Sequence, residues 1–278
     1  MNTRYRISLF GTQLDQLLQS DERFRDRVVI LNIGHAEPGY SLNIETPGDA
    51  DGGMISRKYR QKATVTVTFG LYIYDIAARE EACEKIRTLC AKGGTIMTND
   101  KPGKALYNCV CEQYPEIDSA RDWTAPIQMT FSAYYFPYWV NSIDSVKSIT
   151  GKKTSAALSV PGNAPGANMT VEITALANFS KPKNNAVNLR VDVGSTNLQF
   201  SYQFTKNNLI VIDQDSQNNL RVRLYDNATS RKLITSLLPY MLPKSSDKLI
   251  AAPGSNNTVS IDSAQSISAV FKTKGAWL

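Results

Sequence analysis

Four cysteines and a single histidine are the side chains of this 278-residue sequence best suited to metal or nucleophilic chemistry. Cys83, Cys90, Cys109 and Cys111 all fall within one short stretch, and such clustering suggests a zinc site, where thiolates surround the metal tetrahedrally. Spacing argues against it. On a helix, Cys83 and Cys90 share a face but stand about 10 Å apart along the axis. That separation excludes a direct disulfide, which needs Cα atoms within about 7 Å, and makes joint tetrahedral ligation difficult. Cys109 and Cys111 alternate about Val110, so on a strand both point to one face, toward such a helix. The set reads as reduced thiols in a core, with no metal site.

His35 lies in Gly34-His35-Ala36-Glu37-Pro38-Gly39, a turn-rich segment in which a histidine is expected to be solvated. Ser8, Ser41 and Ser56 are near it in sequence, but none has the strand-to-helix setting of a nucleophile elbow. Gly93-Gly94 follows the expected helix instead of opening one. Gly162-Asn163-Ala164-Pro165-Gly166 lacks the Lys-Ser/Thr sequel of a phosphate loop. These residues therefore predict no catalytic, cofactor-binding or metal-binding site, and no enzyme.

The elements around them are legible. Asp51-Gly52-Gly53 predicts a turn. The basic run Arg57-Lys58-Tyr59-Arg60-Gln61-Lys62 leads into Ala63-Thr64-Val65-Thr66-Val67-Thr68-Phe69, whose strict alternation is that of a half-buried antiparallel strand. Asp75 is placed to cap a helix over 76–90, with acids early, Gly93-Gly94 at its end, and Ile76, Cys83, Ile86, Leu89 and Cys90 on one apolar stripe. Strand periodicity returns in 95–97, 107–111 and 127–134, and Phe136-Pro137-Tyr138-Trp139 forms an aromatic corner. Upstream, 27–34 and 40–45 read as strands, and 11–20 as a short helix with Leu14, Leu17 and Leu18 on one side.

At about Asn141 the character changes. Residues 148–155 are polar and basic, and beyond them helical periodicity almost vanishes. Strands are expected over 169–175, 188–193, 198–202, 209–213, 220–225 and 259–261, each bounded by Asn, Gly, Pro or Ser, which points to a β-sandwich. The predicted division is 1–140, a linker over 141–155, and 156–278.

Composition permits this. A content of 42% hydrophobic and 20% charged residues is that of a globular chain large enough for two cores. The start lacks the apolar run of a signal peptide and no stretch is apolar enough to span a bilayer, so folding in the cytoplasm is expected and a membrane partner is not. The net charge of +6 and pI of about 9.0 would suit nucleic acid. Outside 57–62, however, the bases are interspersed with acids, as at Asp21, Glu22 and Asp26 among Arg23, Arg25 and Arg27. Sequence-specific nucleic-acid binding is therefore not expected, and the basic run reads as a strand edge facing solvent or protein.

The order of turn, basic strand, alternating strand, single charged helix and aromatic strand resembles the N-terminal half of the distal tail proteins of long-tailed phages. The landmarks of the second half, Gly162-Asn163-Ala164-Pro165 before a strand, Leu209-Ile210-Val211-Ile212-Asp213 before a hairpin, and Pro253-Gly254-Ser255-Asn256-Asn257 before the last strand, extend the resemblance to about 28–261. It implies a mainly β chain: an N-terminal β-sandwich-like domain with one packed helix, and a C-terminal galectin-like β-sandwich. It also implies a homohexameric ring built by the N-terminal domains, with the C-terminal ones projecting outward. In the virion such a ring joins the tail tube protein to tail-tip, tail-associated, receptor-binding or baseplate proteins. No cofactor is implied. Arg57, Tyr59, Arg60 and Lys62 are the candidate ring contacts, against the alternative of a merely solubilising edge. Two other functions stay open. One is a carbohydrate-binding module at the virion tip, for which Tyr202, Tyr225 and Tyr240 are the available aromatic platforms. The other is a tail tube protein, against which the large second sandwich argues.

Overall fold

The structure, a computed structural model, describes residues 5–45, 54–117, 125–183 and 186–278. The predicted turn at 51–53 lies outside the described residues, as do the side chains of 54 and 56–59. Two compact units divide the chain: Met1–Val140 with Leu278, and Asn141–Trp277.

The first unit contains β1 (Ile7–Leu9), β2 (Thr12–Gln13), β3 (Val28–Ala36), β4 (Tyr40–Glu45), β5 (Met54–Arg60), β6 (Ala63–Leu71), α1 (Ile76–Cys90), β7 (Gly94–Thr98), β8 (Lys104–Gln113) and β9 (Ile127–Ala133). Antiparallel pairing runs β3-β6-β9-β8-β7-β1-β2, while β4 and β5 form a separate two-stranded sheet. Alternation in β6 behaves as its sequence dictates: Val65, Val67 and Phe69 are wholly buried and the threonines between them half-exposed. Met129 and Phe131 of β9 continue the same apolar layer. Asp75 caps α1 by accepting from the Ala77 amide at 2.9 Å, one of the four amides a helix start leaves unpaired. The helix buries Ala82, Cys83, Ile86, Leu89 and Cys90, and its Cys90 Sγ lies 3.8 Å from Met129 Sδ on the sheet.

Three expectations are corrected here. Residues 11–20 form β2 and a series of tight turns instead of a helix, held by bonds such as Gln16 N to Gln13 O and Gln19 N to Gln16 O. Leu14 and Leu18 still bury, so the apolar spacing reported burial without reporting regular structure. Ile76 is 52% exposed and drops out of the helix stripe, while Arg79 in the same turn is buried. No acid stands in that first turn; Glu80 and Glu81 come a turn later.

The second unit carries most of β10 (Trp139–Val160), then β11 (Ala167–Ala175), β12 (Leu189–Val193), β13 (Thr196–Phe200), β14 (Leu209–Gln214), β15 (Leu220–Tyr225), β16 (Leu233–Ser236), β17 (Ile250–Ala251) and β18 (Ser255–Trp277). Two antiparallel arrays share the 23-residue β18: Val259–Ser263 pair with β12, whose other neighbour is β13, and Ile267–Thr273 pair with β11, which continues to β14, β15 and β16. Val171, Ile173, Val191, Leu198, Ile212, Val259, Ala269 and Phe271 bury completely between them. Gly162 (φ +133°) is required where the chain crosses the end of β18, since a Cβ there would stand 1.9 Å from the Ala276 carbonyl oxygen. Residues 141–155, expected as a linker, lie inside β10. Its polar composition reflects a strand that is largely exposed along this stretch, and a solvated strand and a solvated linker look alike in sequence.

Candidate intersubunit surface

The basic run meets the fold at the base of the β4–β5 hairpin. In register, Tyr40 opposes Arg60, Ser41 opposes Tyr59, and Asn43 opposes Arg57. The Arg60 guanidinium lies 4.6 Å from the centre of the Tyr40 ring and 5.7 Å from that of Tyr138, and Nη1 donates to the Pro38 carbonyl at 3.4 Å. Arginine favours this setting because its flat, weakly hydrated cation stacks on ring faces. Lys62, two residues on, donates to both carboxylate oxygens of Glu112 at 2.6 and 2.5 Å. The Tyr134 hydroxyl donates to the same carboxylate. The ion pair raises the Lys62 pKa; burial works against ionisation of Glu112, but Lys62 and Tyr134 outweigh it and hold its carboxyl below the usual value.

Of the four residues proposed from sequence, Arg60 and Lys62 are therefore engaged within their own chain and brace the hairpin base. Arg57 and Tyr59 lie farther out on β5, with only their backbone positions described. The sequence reading missed the apolar residues beside them. Tyr40, Leu42 and Ile44, at every second position of β4, are 47, 46 and 58% exposed, and Ile55, directly opposite Ile44, is 54% exposed. Alternation in 40–45 was the available signal, but it was read only as a strand.

A second surface is the polar face of β6 and β9. Thr64, Thr66 and Thr68 stand directly opposite Ser132, Thr130 and Gln128. Their side chains form a ladder of contacts at 3.3, 3.5 and 3.5 Å.

With this architecture in view, the whole chain aligns with a solved phage protein. The Dit protein of SPP1, described as a paradigm of the hub adsorption apparatus in phages infecting Gram-positive hosts, matches with a TM-score of 0.62 and 14% identity. The alignment covers 97% of this chain and 98% of that one. The chain has the Dit fold. Chains of the phage P2 baseplate in its activated conformation align at lower scores. The calcium form gives a TM-score of 0.48 and 11% identity over 98% of this chain and 97% of that one, and the strontium form 0.44 and 12% over 97% of each. No family model and no curated protein matches the sequence.

Within this Dit-like fold, His35 is not a solvated loop residue. It sits on β3 opposite Val65, with Nε2 2.5 Å from Asp100 Oδ2 and its ring edge-on to Trp139 at 5.2 Å. Strand β3 runs two residues past the glycine that was expected to end it, and this carries the imidazole into the aromatic corner. All four cysteines are free, and among the described residues no cluster of His, Cys, Asp and Glu could hold a metal. No described helix is long and apolar enough to cross a membrane. A concavity of about 590 Å³ in the second unit is lined by Lys152, Lys153, Asn188, Arg190, Gln199 and Asp262, among others, without an aromatic ring. Tyr202 and Tyr240 pack edge-to-face at 4.7 Å, and Tyr225 lies under the Arg223 guanidinium at 5.8 Å.

Proposed function

We propose that the protein is a structural phage tail-tip component, a distal tail hub whose six copies close into a ring. That ring joins the tail tube to the tail-tip or receptor-binding machinery and leaves a lumen for what the tail delivers. The observation that carries this reading is the match over essentially the whole of both chains to the Dit protein of SPP1. On this reading the protein resides at the tail tip of the virion after assembly in the host cytoplasm, and it is not an enzyme.

The ring contact is assigned to the outer part of the β4–β5 hairpin. Tyr40, Leu42, Ile44 and Ile55 supply apolar area, and Arg57 and Tyr59 supply the flanking polar contacts. Arg60 and Lys62 set the angle at which the hairpin leaves the first unit. A ring forms when one patch meets a different patch on the next copy and the rotation closes. An apolar strip on a sheet that has only two strands among the described residues suits that geometry.

Light scattering and negative-stain class averages of the purified protein test the assignment. A six-fold ring, single or paired back to back, is the expected result, and Ile44→Asp or the charge reversals Arg57→Glu and Arg60→Glu should reduce it to monomers. A ring that survives all three substitutions removes the hairpin from the contact. A wild-type monomer that also fails to assemble with its tail neighbours removes the hub reading. Saccharide binding through the second unit is less favoured, because sugar sites commonly stack the ring on an aromatic face and the concavity there has none.

A further inference from the structure

The positive charge of the chain is not shared between its two units. Residues 141–277 hold 15 lysines and arginines against 8 aspartates and glutamates, a net charge of +7, whereas the first unit, with 16 against 17, carries −1. A field of that sign raises the local concentration of anions around the second unit. The same unit contains the concavity of about 590 Å³ lined by Lys152, Lys153, Arg190, Gln199 and Asp262 among others, a volume within the range of about 300–1,000 Å³ usual for small-ligand sites.

Register builds this face. Arg190 on β12 is the partner of Gln199 on β13 and of Asp262 on β18, so the three side chains stand in a row across one face of three strands. Strand β10 adds its two lysines from beside β18: Ser263 Oγ donates to the Lys152 carbonyl at 3.1 Å, and Lys153 Nζ lies 3.4 Å from Asp262 Oδ2. Asn188, 8% exposed at the same concavity, is held by both backbone polar groups of Tyr202, at 2.5 and 3.2 Å. Bonding capacity remains around it. Arg190 donates from Nε and Nη2 to Asp192 at 2.8 and 2.7 Å, which leaves Nη1. Gln199 donates to Asn197 Oδ1 at 3.0 Å, which leaves its side-chain carbonyl. Lys152 is exposed and has no acidic partner among the described residues. Asp192 and Asp262 offset two of the three cations, so the neighbourhood keeps an excess of one positive charge.

We propose that this concavity binds one residue of an acidic polysaccharide, whose carboxylate or phosphate group meets Lys152 and Arg190 while neighbouring hydroxyls bond Gln199 and Asp262. One excess charge fits one oxyanion per sugar residue, and the wider field of the second unit attracts the rest of the polymer. Charge-assisted bonds from guanidinium and ammonium groups are the strong ones, and they need no ring face. A neutral sugar, which gains by stacking, finds no aromatic side chain here, and neither do the bases of single-stranded nucleic acid, which bind on such rings. The site lies wholly in the second unit, so it is independent of the ring contact.

The test is isothermal titration calorimetry of the purified full-length protein at low and high salt with an oligogalacturonate, a phosphodiester-linked sugar oligomer of equal charge, the neutral oligogalactose and a single-stranded oligonucleotide. One or both acidic saccharides should bind roughly tenfold or more tighter than the neutral one and weaken as salt rises; the one that binds identifies the oxyanion. Lys152→Ala and Arg190→Ala should each weaken binding by roughly tenfold, as loss of a hydrogen bond to a charged group does. Lys244→Ala, outside the concavity, should leave it within about twofold. The proposal is overturned if neither acidic saccharide binds at low salt, if oligogalactose binds as tightly, or if the oligonucleotide binds more tightly than both. It is equally overturned if Lys244→Ala weakens binding as much as Lys152→Ala, since a diffuse field and not a site would then hold the ligand. Comparison of the four probes on the wild-type chain decides the matter even if a variant folds poorly, and none of these outcomes bears on ring assembly.

Discussion

Strands β4 and β6 carry the same code and meet opposite fates. Both alternate large apolar residues with small polar ones: Tyr40, Leu42 and Ile44 in one, Val65, Val67 and Phe69 in the other. In β6 the apolar set has essentially no exposure and shares one buried layer with Met129 and Phe131 of β9; in β4 the set stands about half open on a sheet of only two strands. A two-stranded sheet cannot cover itself. Period-2 alternation thus states that a strand has an apolar face, but not whether the same chain supplies the cover. On the hub reading, the cover for β4 is the next copy in the ring.

The comparison breaks most sharply on truncation. Phe131→Ala, at a fully buried ring packed edge-on to Phe10, should destabilise the isolated chain by about 3–5 kcal/mol, since the cavity left behind adds to the lost transfer energy. Ile44→Ala should change monomer stability by no more than about 0.5 kcal/mol, as for other exposed positions. Urea unfolding of the two variants measures both. A large loss for Ile44→Ala would mean that the hairpin is packed against its own chain and is not a free docking strip. The converse holds for assembly, where Ile44→Asp should remove most of the ring mass while leaving the melting temperature of the monomer in place.

The hairpin base offers a middle case. Arg60 has its cation between two rings of its own unit, and such contacts are worth roughly 0.5–2 kcal/mol according to exposure. Arg60→Ala should cost about 1 kcal/mol in the monomer and also weaken the ring by freeing the hairpin. Arg60→Lys should recover only part, because a compact ammonium does not stack as a guanidinium does. If Arg60→Ala assembles as wild type does, bracing of the hairpin is unnecessary for the contact.

How much of this was legible follows from the same distinction between a face and its cover. The boundaries of α1 could be read because a capping Asp75, an apolar stripe and a terminal glycine pair agree with one another. Strands β4 and β15 could be read from alternation between turn residues. By contrast, β10 and β18 run for 22 and 23 residues. Each was invisible as a unit because a long strand that changes partners loses a single alternating face. Strand β16, Leu233–Ser236, was missed for a related reason: it is short and mostly exposed. At the candidate site the basic residues stood out by charge, and two of them proved to be braces. The exposed apolar strip beside them carried no mark beyond ordinary alternation. His35 was misplaced because Gly34 and Pro38 suggested a turn, whereas glycine at 34 leaves the ladder to β6 intact as far as Ala36.

The smallest expected effect belongs to the Lys62–Glu112 pair. Both side chains are partly exposed, so salt should weaken the interaction. Its pH dependence has a definite sign. The Glu112 carboxyl is held below its ordinary value of 4.5, so its contribution is present above that value and fades as the pH falls through the lower, folded-state value. Lys62 is raised above 10.5, so its contribution is complete below that value and disappears as the pH rises through the folded-state value. Between these limits the stability difference between wild type and Glu112→Gln should be flat, and it should close on the acid side first. Melting temperatures of the two proteins across acid and neutral pH at low and high salt measure this. A difference that persists at full size in strong acid would show that the substitution acts through the hydrogen bond to Tyr134 and not through charge. Lys62 would then hold the hairpin base by packing on the Tyr134 ring, 5.6 Å away, and the basic run would owe its place at the hairpin base to aromatic contacts at both Arg60 and Lys62.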